Sequence, residues 1–267
     1  MIPAKKSYGQ HFLTNESIAA RIAAALDVFE PLDHLLEVGP GTGMLTKYLI
    51  AKHPHCTLVD ADRDMIRILQ DDPRFATCKL IEADFLKLDF KSVFNLQPVF
   101  IIGNFPYNIS SQIVFKMIDN RETIPGMIGM FQKEMASRIA HAPGSREYGV
   151  ISVLTQAYYT VDYLFTVSEH NFSPPPKVKS GVLRFTRKPR LHLDCDEERF
   201  KMVVKTCFQQ KRKMVRNSLK TLLPADQLTD PFFDQRPEQL SVDDYVRITQ
   251  KLNSRRAADE PSSDTFG

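Results

Sequence analysis

The sequence has few cysteines, and their spacing excludes the structures that cysteines most often build. Four cysteines stand far apart in 267 residues, with no C-x-x-C pair and no metal-like spacing to histidine. A small disulfide-bonded domain would be denser in cysteine, and scattered thiols in a chain of this size are typical of a reducing cytosol. We therefore expect neither a disulfide framework nor a metal site.

Long hydrophobic runs are also missing. No stretch approaches the roughly 18 apolar residues of a membrane-spanning helix. Residues 1–7 carry lysines but no apolar segment of the kind found in secretory signals. The chain shows no internal repeat and no low-complexity block. These absences predict a soluble, cytoplasmic protein without a membrane partner. We also expect a monomer, because no unexplained apolar stripe stands out.

The net charge of +3 is too small to indicate a polyanionic partner, but the charge is unevenly distributed. Residues 187–220 hold eleven lysines and arginines against four acids, so the rest of the chain is net negative. Clustered basic residues beside a catalytic domain are typical of contacts to a phosphate backbone, although a solvated helix face is the ordinary alternative. Arg212, Arg216 and Lys220 would line one exposed stripe at helical spacing. The predicted RNA-binding residues are these three together with the neighbouring Lys211 and Lys213.

The clearest local signal is a glycine-rich turn between a predicted strand at 35–38 and a predicted helix. Glu37 lies in the strand, and Gly39, Gly41 and Gly43 follow it. Met44 stands where the dinucleotide fingerprint G-x-G-x-x-G needs its third glycine, so that fingerprint is absent. The order E-x-G-x-G-x-G resembles instead the loop of S-adenosylmethionine-dependent methyltransferases.

Two acids follow later predicted strands. Asp60 ends the apolar run at 57–59, 21 positions after Gly39, where an acid would hold a ribose hydroxyl. Asp84 ends the next strand and is followed by Phe85. Because ligands of open α/β sheets bind at the carboxyl ends of strands, both acids can face one crevice, with Asp84 accepting from a cofactor adenine. The alternative for each acid is a loop-capping role.

A fourth apolar strand at 99–102 runs into Asn104-Phe105-Pro106-Tyr107. This loop suits methyl transfer to an aromatic amine, a poor nucleophile whose lone pair is delocalised into the ring. The Asn104 side-chain oxygen and the Pro106 carbonyl could accept its two N–H bonds. Tyr107 and Phe172 could then hold the target base between them. A plain turn after a strand is the alternative.

Taken together, the motifs resemble those of the small-subunit (16S) ribosomal RNA adenine N6,N6-dimethyltransferases of the KsgA type, over about residues 5–250. The segments that carry the resemblance are 9–13, 36–46, 59–62, 82–85, 103–111, 172–180, 208–220 and 236–241. It implies an α/β fold with a Rossmann-like S-adenosylmethionine-dependent methyltransferase domain and a small all-helical C-terminal domain. We place the first at 1–187, the second, which would bind rRNA, at 188–253, and a disordered tail at 254–267.

The resemblance also implies a function, the dimethylation of two adjacent adenines in the 3′-terminal hairpin of 16S rRNA during ribosome biogenesis. The implied cofactor is S-adenosylmethionine, and the implied partner is the small ribosomal subunit. His11 and Leu13 would border the methionine end of the cofactor, and Gly39 would form its cradle. Asn104 would contact both cofactor and target amine.

The sequence departs from the family pattern at three positions. His11 stands where asparagine is frequent, Asp60 where glutamate is commoner, and Lys179 where aspartate is usual. None removes a group that the chemistry needs, although Lys179 could alter a local RNA contact.

Two other functions remain open. A large-subunit rRNA adenine methyltransferase shares the catalytic motifs but acts on another hairpin, and the C-terminal helices and residues 174–178 argue against it. A ribosome-assembly factor could bind RNA without methylating it. Glutamine and DNA-adenine methyltransferases are less similar, because they usually carry proline where this chain has Phe105.

Overall fold

The structure is a computed structural model that describes residues 9–259, with side chains described as far as Leu252. Two compact units make up the chain. The first contains the residues up to 140 together with 159–189, and the second contains 141–158 together with the residues from 190 onwards. The sequence predicts instead that 141–158 belongs to the N-terminal domain. Hydrophobic periodicity identifies a helix in that segment but does not show which unit covers its apolar face.

The first unit is built on a seven-stranded sheet of order β4-β3-β2-β5-β6-β9-β7. The five strands from β4 to β6 are parallel, and β9 and β7 join them antiparallel. A separate two-stranded sheet pairs β1 with β8. The strands are β1 (Phe12–Leu13), β2 (Leu35–Val38), β3 (Thr57–Asp60), β4 (Lys79–Glu82), β5 (Phe100–Asn104), β6 (Gly126–Gln132), β7 (Tyr159–Val167), β8 (Phe172–Ser173) and β9 (Ser180–Arg187).

Helices connect the parallel strands, as the crossover geometry of a parallel sheet requires. Those of the first unit are α1 (Glu16–Ala24), α2 (Thr46–Leu49), α3 (Arg63–Asp71), α4 (Phe90–Phe94), α5 (Ser110–Asp119) and α6 (Lys133–Ala140). Asn15 and Asp62 cap α1 and α3 by accepting backbone N–H bonds from the first turn. Helices on the faces of the sheet bury its central strands, which explains the continuous apolar runs at 101–102 and 127–128.

The small sheet fastens the N-terminal segment to a distant part of the same unit. Phe12 pairs with Ser173, and Leu13 pairs with Phe172. The Thr14 amide extends this contact by donating to the Asn171 carbonyl at 2.8 Å. The N-terminal segment is therefore structured from residue 9 onwards, while residues 1–8 lie outside the described part of the chain.

The second unit is helical, with α7 (Val150–Gln156), α8 (Glu197–Gln209), α9 (Val215–Leu219) and α10 (Val242–Asp259). The predicted continuous stripe over 208–222 is not observed, because α8 ends at Gln209 and a non-helical segment precedes α9. The predicted disordered tail begins within α10, which runs to Asp259, and residues 260–267 lie outside the described part. In the described residues, no helix combines the length and hydropathy needed to cross a membrane.

Candidate active site

A cavity of about 440 Å³ lies in the first unit at the carboxyl ends of β2, β3 and β5. Its walls come from the N-terminal segment, the glycine turn and the loops that follow β3, β4 and β5. The structure therefore brings segments that are far apart along the chain together at one cavity. The predicted site residues that line the cavity are His11, Leu13, Glu37, Gly39, Gly41, Asp60, Asp84, Phe85, Asn104, Pro106 and Tyr107.

The glycine turn has a conformation that other residues adopt only with strain. Gly39, Gly41 and Gly43 have φ angles of 68°, 55° and 83°. A Cβ atom on Gly43 would lie 2.4 Å from the Phe75 ring, so this position also lacks room for a side chain. Because the Gly39 amide donates to the Val59 carbonyl at 2.9 Å, the turn is fixed to the end of β3.

Glu37 is an acid buried at the floor of the cavity, with 1% of its surface exposed. Desolvation raises its pKa to about 8, and the negative charge of Asp60 acts in the same direction. The Thr46 hydroxyl, which donates to Glu37 Oε2 at 2.7 Å, opposes the shift. Near neutral pH the carboxyl therefore keeps its proton unless a cation enters the cavity.

Asp60 and its neighbours connect β3 to the N-terminal segment. Asp60 Oδ1 accepts from the Asp62 amide at 2.8 Å, and burial raises the pKa of Asp60. The Gln10 side-chain amide donates to Asp62 Oδ2 at 3.0 Å. No motif in the sequence predicts a role for Asp62. The feature of the sequence that could have indicated a role for Asp62 is its position two residues after Asp60, the acid at the end of β3.

Asp84 has the loop-capping contact that was considered as its alternative role. Its Oδ1 accepts from the Leu86 amide at 3.0 Å and begins the short turn at Phe85–Lys87. The Asp84 carboxyl also lines the cavity, so capping and ligand binding are compatible. Phe85 beside it is 4% exposed and packs edge-on against Phe90.

Asn104, at the end of β5, has a defined amide orientation. Its Nδ2 donates to the His11 main-chain carbonyl at 2.9 Å. Since an amide carries its oxygen opposite its nitrogen, Oδ1 is directed away from this bond and remains an acceptor. The Pro106 carbonyl was expected to accept an N–H of the target amine. In the structure it already accepts from the Ser110 hydroxyl at 3.1 Å and the Ile109 amide at 3.3 Å.

Tyr107 contacts the His11 imidazole and the Ser180 hydroxyl, and the sequence predicts neither contact. Its ring stacks on the His11 imidazole, with centroids 5.4 Å apart. The hydroxyls of Tyr107 and Ser180 lie 2.7 Å apart. Burial raises the pKa of Tyr107, while the Ser180 contact lowers it. His11 Nδ1 in turn donates to the Pro174 carbonyl at 2.8 Å.

Phe172 is the one predicted catalytic residue that does not line the cavity. It is 4% exposed, belongs to β8 and packs within the hydrophobic core. Its position as a wall opposite Tyr107 therefore stays a prediction.

The predicted RNA-binding residues of the second unit differ in their surroundings. Lys211 Nζ donates to the carbonyls of Arg146 and Tyr148, both at 2.7 Å, so it holds the segment 141–149. Arg216 forms an ion pair with Asp234. The other three predicted residues are exposed and have no ion-pair partner within the described chain; they are Arg212, Lys213 and Lys220.

The cysteines are free thiols. The sulfurs of Cys56 and Cys78, the residues just before the neighbouring strands β3 and β4, lie 3.6 Å apart, and burial raises the pKa of both. Within the described part of the chain, histidine, cysteine, aspartate and glutamate side chains form no group of three or more that could hold a metal ion.

The parallel-rich sheet, the glycine turn and the strand-end acids around one cavity define a Rossmann-like methyltransferase. The profile of the family described as "Ribosomal RNA adenine dimethylase" matches residues 1–254. The chain belongs to this ribosomal RNA adenine dimethylase family, and it is an enzyme of the methyltransferase class.

Individual relatives agree with this assignment. The chain is 51% identical over 254 residues to the ribosomal RNA small subunit methyltransferase A of Flavobacterium johnsoniae, covering 95% of this chain and 97% of the relative. It is 49% identical over 264 residues to the same-named protein of Parabacteroides distasonis, covering 97% and 98%.

Solved structures show the same fold. A dimethyladenosine transferase from Plasmodium falciparum matches with a TM-score of 0.78 and 23% identity, over 92% of this chain and 98% of that one. The 23S rRNA methyltransferase ErmE matches with a TM-score of 0.67 and 25% identity, over 91% and 99%.

Proposed function

We propose that this protein transfers methyl groups from S-adenosylmethionine to N6 of two adjacent adenines in the 3′-terminal hairpin of 16S rRNA, giving two dimethyladenines. The observation that carries the proposal is the single cavity that joins the glycine turn, the strand-end acids and the Asn104 loop. Similarity to small-subunit methyltransferases over nearly the whole chain supports the choice of rRNA.

The cavity suits the cofactor in size and chemistry. Its volume of about 440 Å³ lies within the range of about 300–1,000 Å³ that is usual for small-molecule sites. The positive φ angles of the turn expose backbone where a side chain would otherwise block the ligand. S-adenosylmethionine, when bound, supplies an electrophilic methyl group on a positively charged sulfur.

Each predicted residue has a role in holding that cofactor. Asp60 would accept from the ribose hydroxyls, and Asp84 from the adenine amino group beside the Phe85 ring. Gly39 and Gly41 would let the backbone approach closely, and Leu13 and His11 would border the methionine end. Glu37 would become ionised as the cationic cofactor enters, because a nearby positive charge lowers the pKa of a buried acid.

Asn104 would orient the target amine. Its Oδ1 can accept one N–H of the adenine amine, which directs the nitrogen lone pair toward the bound cofactor. The Pro106 carbonyl would accept the second N–H, in competition with the Ser110 hydroxyl. Tyr107 would stack on the target base, which must leave its own stack to reach the cavity. The methylated nitrogen is acidic enough to release its proton to water.

The second unit would contribute RNA affinity. Arg212, Lys213 and Lys220 are exposed and suit phosphate contacts, whereas Lys211 and Arg216 are already engaged by protein groups. A protein that acts on the small ribosomal subunit works where that subunit is found, so we place this protein in the cytoplasm. We further propose that it acts as a monomer and without a metal ion.

The decisive test uses small ribosomal subunits that lack the paired adenine methylation. These small subunits and, in a parallel reaction, large ribosomal subunits are incubated with the protein and radiolabelled S-adenosylmethionine, and the N6-methyl groups are mapped and counted. Two dimethylated adjacent adenines in the 3′-terminal hairpin are expected. Label in large-subunit RNA would instead support the ErmE-like activity. Cofactor binding without label would exclude this substrate, and absence of cofactor binding would leave an RNA-binding assembly factor.

A further inference from the structure

Three exposed lysines of the first unit lie near the beginning of β9 (Ser180), and they are not among the residues that line the cavity. Lys177 and Lys179 precede β9, and Lys133 begins α6. The Lys133 amide donates to the Lys179 carbonyl at 2.9 Å, and the preceding residue, Gln132, pairs with Ser180. The two chain segments that carry these lysines are therefore neighbours at one edge of the sheet.

The positive charge at this edge is only partly balanced. None of the three lysines forms an ion pair with another side chain of the described residues. Glu134 is engaged by Arg138 at 2.9 Å. Glu169 is a second nearby acid. Its own backbone amide lowers its pKa most, and Ser168, His170 and Lys179 lower it further. Three lysines thus share this edge with two acids that already have other partners, Arg138 for Glu134 and Ser168 and His170 for Glu169. An anionic partner would add favourable charge pairing there.

The surface is fixed to the candidate catalytic loop. The segment that carries Lys177 and Lys179 begins with the Pro174 carbonyl bound to His11, and it ends at Ser180, whose hydroxyl contacts Tyr107. Prolines at 174–176 restrict the backbone between these two attachments. The backbone of residues 174–180 is therefore anchored at both ends to His11 and Tyr107, which places Lys177 and Lys179 beside the candidate catalytic loop.

We infer that Lys133, Lys177 and Lys179 bind phosphate groups of the RNA strand on the flank of the adenine presented to the cavity. This inference rests on the proposed function and adds a contact surface of the first unit to it. A base can reach a recessed cavity only if its sugar–phosphate backbone is held at the rim, and lysine ammonium groups suit such sequence-independent contacts.

The test replaces two of these charges without changing side-chain length much, in the variant Lys133→Gln/Lys179→Gln. The probe is a fluorescein-labelled RNA hairpin whose loop contains two adjacent adenines, titrated at several salt concentrations. We expect about tenfold weaker binding near 0.1 M salt and a log–log salt slope smaller by roughly 1.5, because two phosphate contacts are lost. In methyl transfer the KM for RNA should rise about tenfold, with kcat unchanged within about twofold.

The matched control is Lys79→Gln/Arg67→Gln, which removes two exposed charges from the same unit. Lys79 begins β4, at the opposite end of the parallel strands from the cavity. This control should leave the salt slope unchanged, and both variants should bind S-adenosylmethionine like the wild type. An equal loss in the control, an unchanged slope in the test variant or weakened cofactor binding would each overturn the inference.

The outcome also separates this inference from the proposed function. If the wild type binds the hairpin but labels no small-subunit RNA, the proposed function fails while the slope difference still measures the lysine contacts. If the wild type methylates the rRNA and the slopes are equal, only the lysine surface is excluded. A wild type that does not bind the hairpin overturns the lysine inference as well.

Discussion

Glu37 is an acid whose ionised form is poorly solvated in the folded chain. The folded protein keeps this proton up to about pH 8, whereas the unfolded chain releases it near pH 4.5. Stability should therefore fall as the pH rises between these values, and Glu37→Gln removes that dependence. The free energy of unfolding of Glu37→Gln, relative to that of the wild type, should therefore rise by about 1.4 kcal/mol for each pH unit across this interval. Urea unfolding from pH 4.5 to 8 measures the difference.

A matched substitution, Glu82→Gln, removes an exposed carboxyl at the end of β4 and reports any effect of a lost surface charge. Parallel stability curves for wild type and Glu37→Gln would contradict the buried acid. We also expect Glu37→Gln to bind S-adenosylmethionine more weakly, because its side chain cannot take a negative charge.

Asn104→Ala should abolish methyl transfer, by about 10³-fold or more in kcat, because the variant has no side-chain acceptor for the target amine. Folding should remain intact, since only one half-buried hydrogen bond is lost. Asn120→Ala is a suitable control, because it removes a similar amide-to-carbonyl bond, to Lys116 at 2.8 Å, outside the cavity. Radiolabel transfer and thermal unfolding of both variants give the comparison, and residual transfer above about 10% would refute the role.

At the level of elements, Lys211 ties a loop to the end of a helix. Lys211→Met would remove two charge-assisted bonds, to the Arg146 and Tyr148 carbonyls, and should destabilise the protein by about 2 kcal/mol. The exposed pair Arg212→Gln/Lys213→Gln should leave stability unchanged but lower RNA affinity and its salt slope. Denaturant unfolding and RNA titration separate the two effects. Equal stability of both variants would show that Lys211 is not a structural tether.

The elements around the glycine turn were predictable because local signals mark them. A buried strand, glycines and an acid at a fixed distance identify β2, the turn and Asp60 within about 25 residues of sequence. The break between α8 and α9 was not predictable in the same way. Phe208, Val215, Leu219 and Leu222 keep helical spacing across it, so periodicity alone predicts one helix where the backbone forms two.

Contacts between distant segments were the least predictable part of the site. The motifs at residues 9–13 and 172–180 were recognised, but nothing in either predicts that His11 donates to Pro174 or that Ser180 touches Tyr107. The same limit applies to Phe172. An aromatic residue before a proline segment suits base stacking, but the sequence does not predict the β1–β8 pairing, in which Phe172 is buried against the core.

For the whole molecule, the two units are interleaved along the chain rather than consecutive. Residues 141–158 belong with the residues after 190, and within that unit the ring of the buried Tyr148 packs near Phe208. A fragment ending at 189 should therefore expose the apolar side chains of 148–157 and aggregate. A fragment that also replaces 141–158 with a glycine–serine linker should be better behaved.

Size-exclusion chromatography and hydrophobic dye binding test this expectation. A monomeric fragment 1–189 without dye binding would show that the segment 141–158 is stable without the residues that follow 190.

The small sheet of β1 and β8 has a consequence for how the chain is made. His11 and Pro174, which meet at this sheet, are 163 positions apart. A ribosome adding roughly 5–20 residues per second leaves the first wall of the cavity without its partner for about ten to thirty seconds. Phe12 and Leu13 have no β8 partner during that interval, so the first wall of the cavity acquires its strand pairing only after residue 173 has been synthesised.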